Sequence, residues 1–410
     1  MKRRDFLINS SIFAVSTLTA IGTDNWVARS VTSKDKPKRL IVIFLRGAVD
    51  GLSVVVPYSE PEYYRLRSSI AIPKPGEERG ALDLDGKFGL HPALASIMPL
   101  WEQKNLAFIH ACGSPDSTRS HFDAQYYMET GIPGIKRDTD GWMNRLLSVL
   151  SVKSPIQAIN FGRTTPRILL GEIPVANLAP GRHALKRLLV DRPRVSTAFD
   201  KLYNRDDILS QTYRQGKMAR QALMQGYEKE MKMANNGAPL PHGFPRNARR
   251  LAKLIVKDPR IELAFMGLGG WDTHINQGGS KGQLANKLNK LSQGLKVLVD
   301  NLGSVYQDTT IIVMSEFGRT VAENGNAGTD HGHGNAMWVL GGNVRGGKVY
   351  GEWSGLDKSQ LYKGRDLAIN TDFRDVLTGV FQEHMGLGDR KLNQILPGYK
   401  PKTKIALIRQ

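Results

Sequence analysis

The chain has 410 residues, 40% of them hydrophobic, with a formal net charge of +19 and a single cysteine. That length holds one large domain or two ordinary ones, and the apolar content suffices for a conventional core. A lone cysteine excludes an intramolecular disulfide framework, and the positive field favours anionic partners without naming them.

The N-terminus runs Met1-Lys2-Arg3-Arg4-Asp5-Phe6-Leu7 into a mostly apolar stretch from Ile8 to Ile21, the layout of a secretory signal. Its apolar part is shorter than the ~20 residues that cross a bilayer, and Asn9, Ser11, Ser16, Thr17 and Thr19 dilute it. Arg3-Arg4 with Phe6-Leu7 is the pattern read by the twin-arginine exporter. The expectation is therefore a signal over residues 1–30, folded export to the periplasm or medium, and the twin-arginine machinery as a partner. Ala28-Arg29-Ser30 offers a cleavage point, and an uncleaved leader would remain as an anchor. Residues 31–38 read as a solvated linker, and residues 39–410 as one domain with no further candidate membrane segment. Outside the cytoplasm, and without a basic stripe interleaved with aromatics, nucleic acid is not an expected partner. Anionic small molecules or polymers are.

Leu40–Leu45 is a continuous apolar, β-branched run of the kind that forms a strand buried on both faces. Similar runs recur at Leu106–His110, Ile156–Phe161, Ile261–Met266 and Thr310–Met314. Helical spacing lies between them at Pro92–Trp101, His121–Glu129, Asn247–Val256 and Leu284–Leu302. Unbroken strands alternating with helices predict a doubly wound, mostly parallel α/β sheet. The charged stretch of about 185–243 has no strand candidate and reads as a helical insertion. Gly341-Gly342 and Gly346-Gly347 read as turns.

In open parallel sheets ligands gather at the C-terminal ends of the strands, and the polar residues after these runs are the candidates. Asp50 follows the first run on a Gly-flanked turn, fit either for a metal or for simple turn chemistry. Ser120 is placed to cap the helix after the second run, with Asp123 in the capping-box position. A hydroxyl there also sits where anions are favoured, and Arg119 could clamp one. Asp272 and His274, two apart in Gly-Gly-Trp-Asp-Thr-His, would point to one side of an extended backbone and begin a divalent-metal site. Glu316, at the end of a buried run, needs a partner, either Arg319 or a metal. Asp330, His331 and His333 crowd one Gly-rich loop that suits neither core nor helix. His91, His183, His242 and His384 are isolated and read as structural or surface residues. Zinc is the first choice of ion, as one or two equivalents, with manganese, calcium and magnesium as alternatives.

Arg46–Pro57 (RGAVDGLSVVVP), Ser120–Gln125 (SHFDAQ), Gly270–His274 (GWDTH), Ser315–Arg319 (SEFGR) and Asp330–Gly334 (DHGHG) together resemble the bacterial family known as domain of unknown function 1501. The resemblance runs from about Arg39 to the C-terminus and includes the leader. That family is similar to a distant branch of the alkaline phosphatase and sulfatase superfamily. The similarity implies one or two metals at the strand ends of a doubly wound sheet, activating a Ser, Thr or modified Cys nucleophile. Carried over position by position, Asp50 becomes the first-strand metal aspartate, and Ser120, or second Thr118, the nucleophile. Asp272 and His274 become the later metal pair, and His331 or His333 the last metal histidine. Glu316-Phe317 stands where the superfamily has Asp-His, the Asp272–His274 spacing is short, and Cys112 lacks the sulfatase Cys-x-Pro-x-Arg pattern.

These readings lead to an expected exported, metal-dependent hydrolase of an anionic ester, phosphate before sulfate. Asp272, His274 and His333 would hold one ion. Asp50, Glu316 and His331 would hold a second that activates Ser120, with Arg119 and Arg319 balancing the anionic oxygens. The rival expectation is an exported metal- or surface-polymer-binding protein without turnover; a third is an assembly partner for an acidic neighbour.

Overall fold

A computed structural model of the chain describes residues 37–136, 140–150, 156–162, 164–178 and 233–409. The expected signal, linker residues 31–36 and the expected insertion up to residue 232 lie outside the described residues.

The strands follow from the unbroken apolar runs. Every residue of β1 (Arg39–Leu45) is buried. Ile41, Ile43 and Leu45 enter one apolar cluster, while Leu40, Val42 and Phe44 enter another. Burial on alternate sides by successive residues means that both faces of the sheet are covered. The same sheet contains β5 (Leu106–Gly113), β6 (Ala158–Asn160), β7 (Ala176–Asn177), β8 (Leu263–Leu268), β9 (Thr309–Met314), β10 (Asn335–Gly341), β11 (Lys348–Tyr350) and β12 (Thr371–Asp372). Its order is β11-β5-β10-β9-β1-β8-β6-β7, with β12 also on β5. A small separate sheet joins β2 (Val55–Val56), β4 (Gly89–Leu90) and β3 (Leu82–Asp83). All five predicted runs are strands of the large sheet, which is mostly parallel.

Helices cover both faces. Phe244, Ala248, Leu251, Ala252 and Ile255 form the apolar stripe of α3 (Phe244–Lys257), and six leucines form that of α4 (Gln283–Leu302). Both pack into the first cluster. Burying each such leucine contributes roughly 1.5–3 kcal/mol. Gly294 lets the two helices approach, because a Cβ there would lie 2.0 Å from the Phe244 ring. The other face carries α2 (Trp142–Val149), α5 (Phe373–Gly379) and α6 (Asp389–Ile395), with Met128 of α1 (His121–Thr130) joining them.

One strand departs from the expected pattern. β10 runs antiparallel to both β9 and β5. Its start therefore lies at the edge where β1, β5, β8 and β9 end, and the loop before it, Asp330–Gly334, arrives at the same edge as the loops after those strands. Five chain segments distant in sequence meet there.

Candidate active site

Each segment is bent into place by its own chemistry. After β8 the buried Trp271 indole donates to the Leu268 carbonyl at 2.8 Å, which fixes the turn carrying Asp272 and His274. After β1 the chain must pass directly against that turn. Gly47 adopts φ +110°, and a Cβ there would lie 2.6 Å from the Asp272 amide nitrogen. After β5 the chain enters α1, where Ser120 is the N-cap and accepts from the Asp123 N–H at 3.4 Å. The Asp123 carboxylate itself turns to Lys136 at 2.5 Å, so the cap is one-sided. His121 is the first residue of this helix and points back into the strand ends.

At the centre stand three imidazoles and one carboxylate. His121 Nε2 and His331 Nε2 are 2.9 Å apart, and His274 Nε2 is 3.0 Å from His331 Nε2. Asp272 Oδ1 lies 3.0 Å from His274 Nε2 and 3.5 Å from His331 Nε2, and Oδ2 lies 3.7 Å from His121 Nε2. His121, Asp272 and His331 can each direct one ligand atom so that all lie within 4.8 Å of one another.

The other nitrogen of each ring is held by an oxygen. His121 Nδ1 meets Glu316 at 2.8 Å, His274 Nδ1 meets Asp330 at 3.0 Å, and His331 Nδ1 meets the Arg119 carbonyl at 2.9 Å. A carboxylate or carbonyl only accepts, so each Nδ1 donates outward and each ring is left with its Nε2 facing the cluster. Three ring nitrogens this close, beside a carboxylate, suit a cation among them, either a proton or a metal. Histidines whose outer nitrogen is fixed by a carboxylate or carbonyl are how proteins orient metal ligands. Asp272 Oδ2, buried and with no hydrogen-bond partner, is a further donor left for such an ion. The residues fit a divalent metal.

Electrostatics agree. Although burial opposes ionisation, Arg319 and the three histidines hold the Asp272 carboxyl well below the usual carboxylate range. Glu316 is likewise depressed against burial by His121 and Gln125. His121 is raised to about 9: burial opposes its charge, but Asp272 and Glu316 favour it more. Burial lowers His331, with Arg319 and His121 adding repulsion. A single proton on His121 thus fills the need for a cation in the metal-free protein, and a metal competes with it. Below about pH 9 zinc binding should release about one proton, and apparent zinc affinity should rise about tenfold per pH unit up to that point. Calorimetry in two buffers of different ionisation enthalpy measures the proton release; none at pH 7 contradicts the assignment.

The structure brings Asp272, His274 and His331 together and adds His121, which the sequence reading passed over. The other sequence-selected residues stand elsewhere. Asp50 is fully buried against Arg67, at 2.5 and 3.0 Å, and also accepts from Ser53 and Gln277 at 2.7 Å each. With those partners its carboxylate is occupied as a structural ion pair rather than a ligand. Gln277 ties it to the site loops by accepting from Thr273 and Thr329 at 2.7 Å each. Glu316 accepts from the Gly47 N–H at 2.7 Å and from Gln125 at 2.9 Å as well as from His121, so it orients a ligand and does not pair with Arg319. Arg319 is buried against Asp272 and the carbonyls of Gly47 and Ala48 at 2.6 and 2.7 Å. Facing inward, it cannot serve an external anion.

Asp330 holds His274 from the outside, its side chain half exposed. His333 turns away to stack on Tyr362, ring centroids 4.3 Å apart. Thr118 Oγ1 accepts from the Ser120 N–H at 3.2 Å, a local turn. Ser120 itself lies between Arg119, whose carbonyl holds His331, and His121. Arg119 is at the rim, 2.6 Å from Asp366. His91 and His384 meet backbone carbonyls, and burial pushes both down to about 4. His242 is exposed, and His183 lies outside the described residues.

A family model described as "Protein of unknown function (DUF1501)" matches residues 37–396. No curated protein matches the sequence. Among solved structures, Ps i-CgsB in complex with k-i-k-neocarrahexaose is similar at 11% identity and a TM-score of 0.40, covering 88% of this chain and 74% of that one. The C-terminal periplasmic domain of EcEptC from Escherichia coli, in complex with Zn, gives 11% and 0.40 with 92% and 93% covered. A protein in the alkaline phosphatase superfamily from Vibrio parahaemolyticus gives 11% and 0.39 with 77% and 63% covered. These likenesses are low, and the functional reading rests on the residues of the site.

Proposed function

The chain belongs to the family that this model describes, and for it we propose the activity of an exported, metal-dependent hydrolase of an anionic ester, phosphate before sulfate. The observation that carries the proposal is the convergence of three Nε2 atoms, each with its Nδ1 held by an oxygen, on a carboxylate with an unpartnered buried oxygen. His121, His331 and Asp272 would hold the ion, with His274 at its side. Zinc suits such a nitrogen-rich set. Bound there, it would polarise the ester and lower the pKa of a nearby hydroxyl.

The chain's own groups divide the remaining work. Ser120 is the hydroxyl carried between two segments that touch His331, at a helix N-terminus where anionic oxygens are favoured. Among the described residues its only hydrogen bond as an acceptor is the long one from Asp123, so little is lost when it turns toward a substrate. Arg119 stands beside it at the rim to meet the ester's charge. Glu316 and Gln125 keep His121 oriented, and Arg319 keeps Asp272 ionised. Export belongs to the proposal through the Arg3-Arg4 leader; among the described residues no helix is long and apolar enough to cross a membrane.

Ser120→Ala tests the nucleophile. With zinc present, hydrolysis of a nitrophenyl phosphate or sulfate should fall at least about 100-fold while zinc affinity is unchanged. Equal turnover by the variant removes Ser120 from the mechanism, and no turnover by the wild-type chain on any anionic ester favours a metal-binding role without catalysis.

A further inference from the structure

Arg365 lies outside every motif of the sequence and outside the ligand set, yet it touches the site. Its Nη2 donates to the His331 carbonyl at 2.6 Å, while Nε reaches Asp366 Oδ1 at 2.8 Å and Nη2 reaches Oδ2 at 3.2 Å. Arg119 donates to the same Asp366 Oδ2 at 2.6 Å, and its carbonyl holds His331 Nδ1 at 2.9 Å. Two arginines therefore touch one candidate ligand, Arg365 through its guanidinium and Arg119 through its carbonyl, and both guanidiniums share one carboxylate. Asp366 is fully buried, whereas the Arg119 and Arg365 side chains are 40% and 42% exposed. Among the described residues neither arginine pairs with another carboxylate, so the pair presents one positive charge more than it neutralises.

The backbone holds this arrangement in place. Tyr362 and Asp366 bond to each other across a tight turn at 2.8 and 3.1 Å, and the Val321 N–H reaches the Arg365 carbonyl at 3.3 Å. The Thr320 and Asp366 backbones form a further bridge. A guanidinium already ordered by the protein loses less freedom on binding an anion than a free one would.

We propose that Arg119 and Arg365 form a two-armed clamp for a tetrahedral oxyanion, with Asp366 as the post that spaces them. This deepens the hydrolase reading and rests on it: the substrate would be a monoester whose phosphate or sulfate retains several free oxygens. One or two of these would bond the arginines while another faces the ligand cluster. Charge-assisted, forked bonds of this type are the strong ones for such groups. A neutral carboxylic ester would leave the surplus charge unmet. Arg365 is thereby a specificity residue, and Asp366 a positioning residue.

The experiment is calorimetric titration of inorganic phosphate, and separately sulfate, into the zinc-loaded full chain. Arg365→Ala and Arg119→Ala should each weaken oxyanion binding about tenfold and leave zinc bound, with a lowered melting temperature but a folded chain, because the remaining arginine still pairs with the buried Asp366. Arg365→Lys, keeping charge without the fork, should fall between. Tighter phosphate than sulfate binding would mark the phosphoryl group as the natural one, and the reverse would mark sulfate. Wild-type oxyanion affinity in both alanine variants, with zinc still bound, overturns the clamp and leaves the metal site standing. If the chain takes up no zinc, the hydrolase reading fails. The same titration on the metal-free protein then decides the clamp alone: arginine-dependent binding supports it, and absent or unchanged binding overturns it.

Discussion

Replacing Asp272 with asparagine should abolish zinc binding and cost about 3–5 kcal/mol of stability, and added zinc should not restore it. The side chain keeps its shape but loses its charge. Asp272 and Arg319 are both fully buried, and removing one partner of a buried ion pair strands the other in a medium that cannot solvate it. The Arg319 guanidinium would keep its carbonyl partners at Gly47, Ala48 and Thr329, so the fold should weaken rather than vanish. The same change removes the carboxylate that three imidazoles face. Urea denaturation with and without zinc reads both effects. A variant with wild-type midpoint and wild-type zinc stabilisation would show that Asp272 is neither the partner of Arg319 nor a ligand.

Replacing His121 with alanine should have the opposite balance: a large effect on the metal and a smaller one on the fold. Its neighbour Glu316 retains the Gly47 amide and the Gln125 side chain, so the buried carboxylate is not abandoned. The cluster, however, loses one of its inward nitrogens. Loss of a residue that merely orients a ligand lowers metal affinity 10–100-fold, and loss of the ligand itself should exceed about 100-fold. The proton released on zinc binding should disappear with it, because the group raised to about 9 is gone. Competition against a fluorescent zinc chelator measures the affinity. A variant binding zinc like the wild type would move the site away from α1 and toward His274 alone.

Much of this site could be read in the sequence. Gly270–His274 and Asp330–Gly334 stood out because no local structure needs so many histidines and carboxylates among glycines, and Asp272, His274 and His331 do converge. His121 escaped for the opposite reason. A histidine just after a serine cap has a sufficient local explanation, and what gives it a role is Glu316, 195 positions away. Asp50 misled through the same blindness. It follows a strand, as a ligand would, but Gly47 and Ala48 both take positive φ and turn the chain so that Asp50 meets Arg67.

The sheet shows the same limit. The strands rich in Val, Ile and Leu were legible. β10 was not: Asn335-Ala-Met-Trp-Val-Leu-Gly341 has a single β-branched residue and is bordered by glycines that read as turns. Its membership comes from pairing with β5 and β9, and that antiparallel insertion is what carries His331 to the site. Arg365 had no signal at all, since its partners Asp366 and the His331 carbonyl become neighbours only after folding.

The central claim is that a divalent metal is the cation these histidines surround. Elemental analysis of the full chain, purified folded from its export route without chelator, tests it most directly. About one bound equivalent of zinc or a similar ion is expected, absent from Asp272→Asn and strongly reduced in His121→Ala. A folded wild-type protein that contains no metal and takes none up on dialysis against zinc would contradict it.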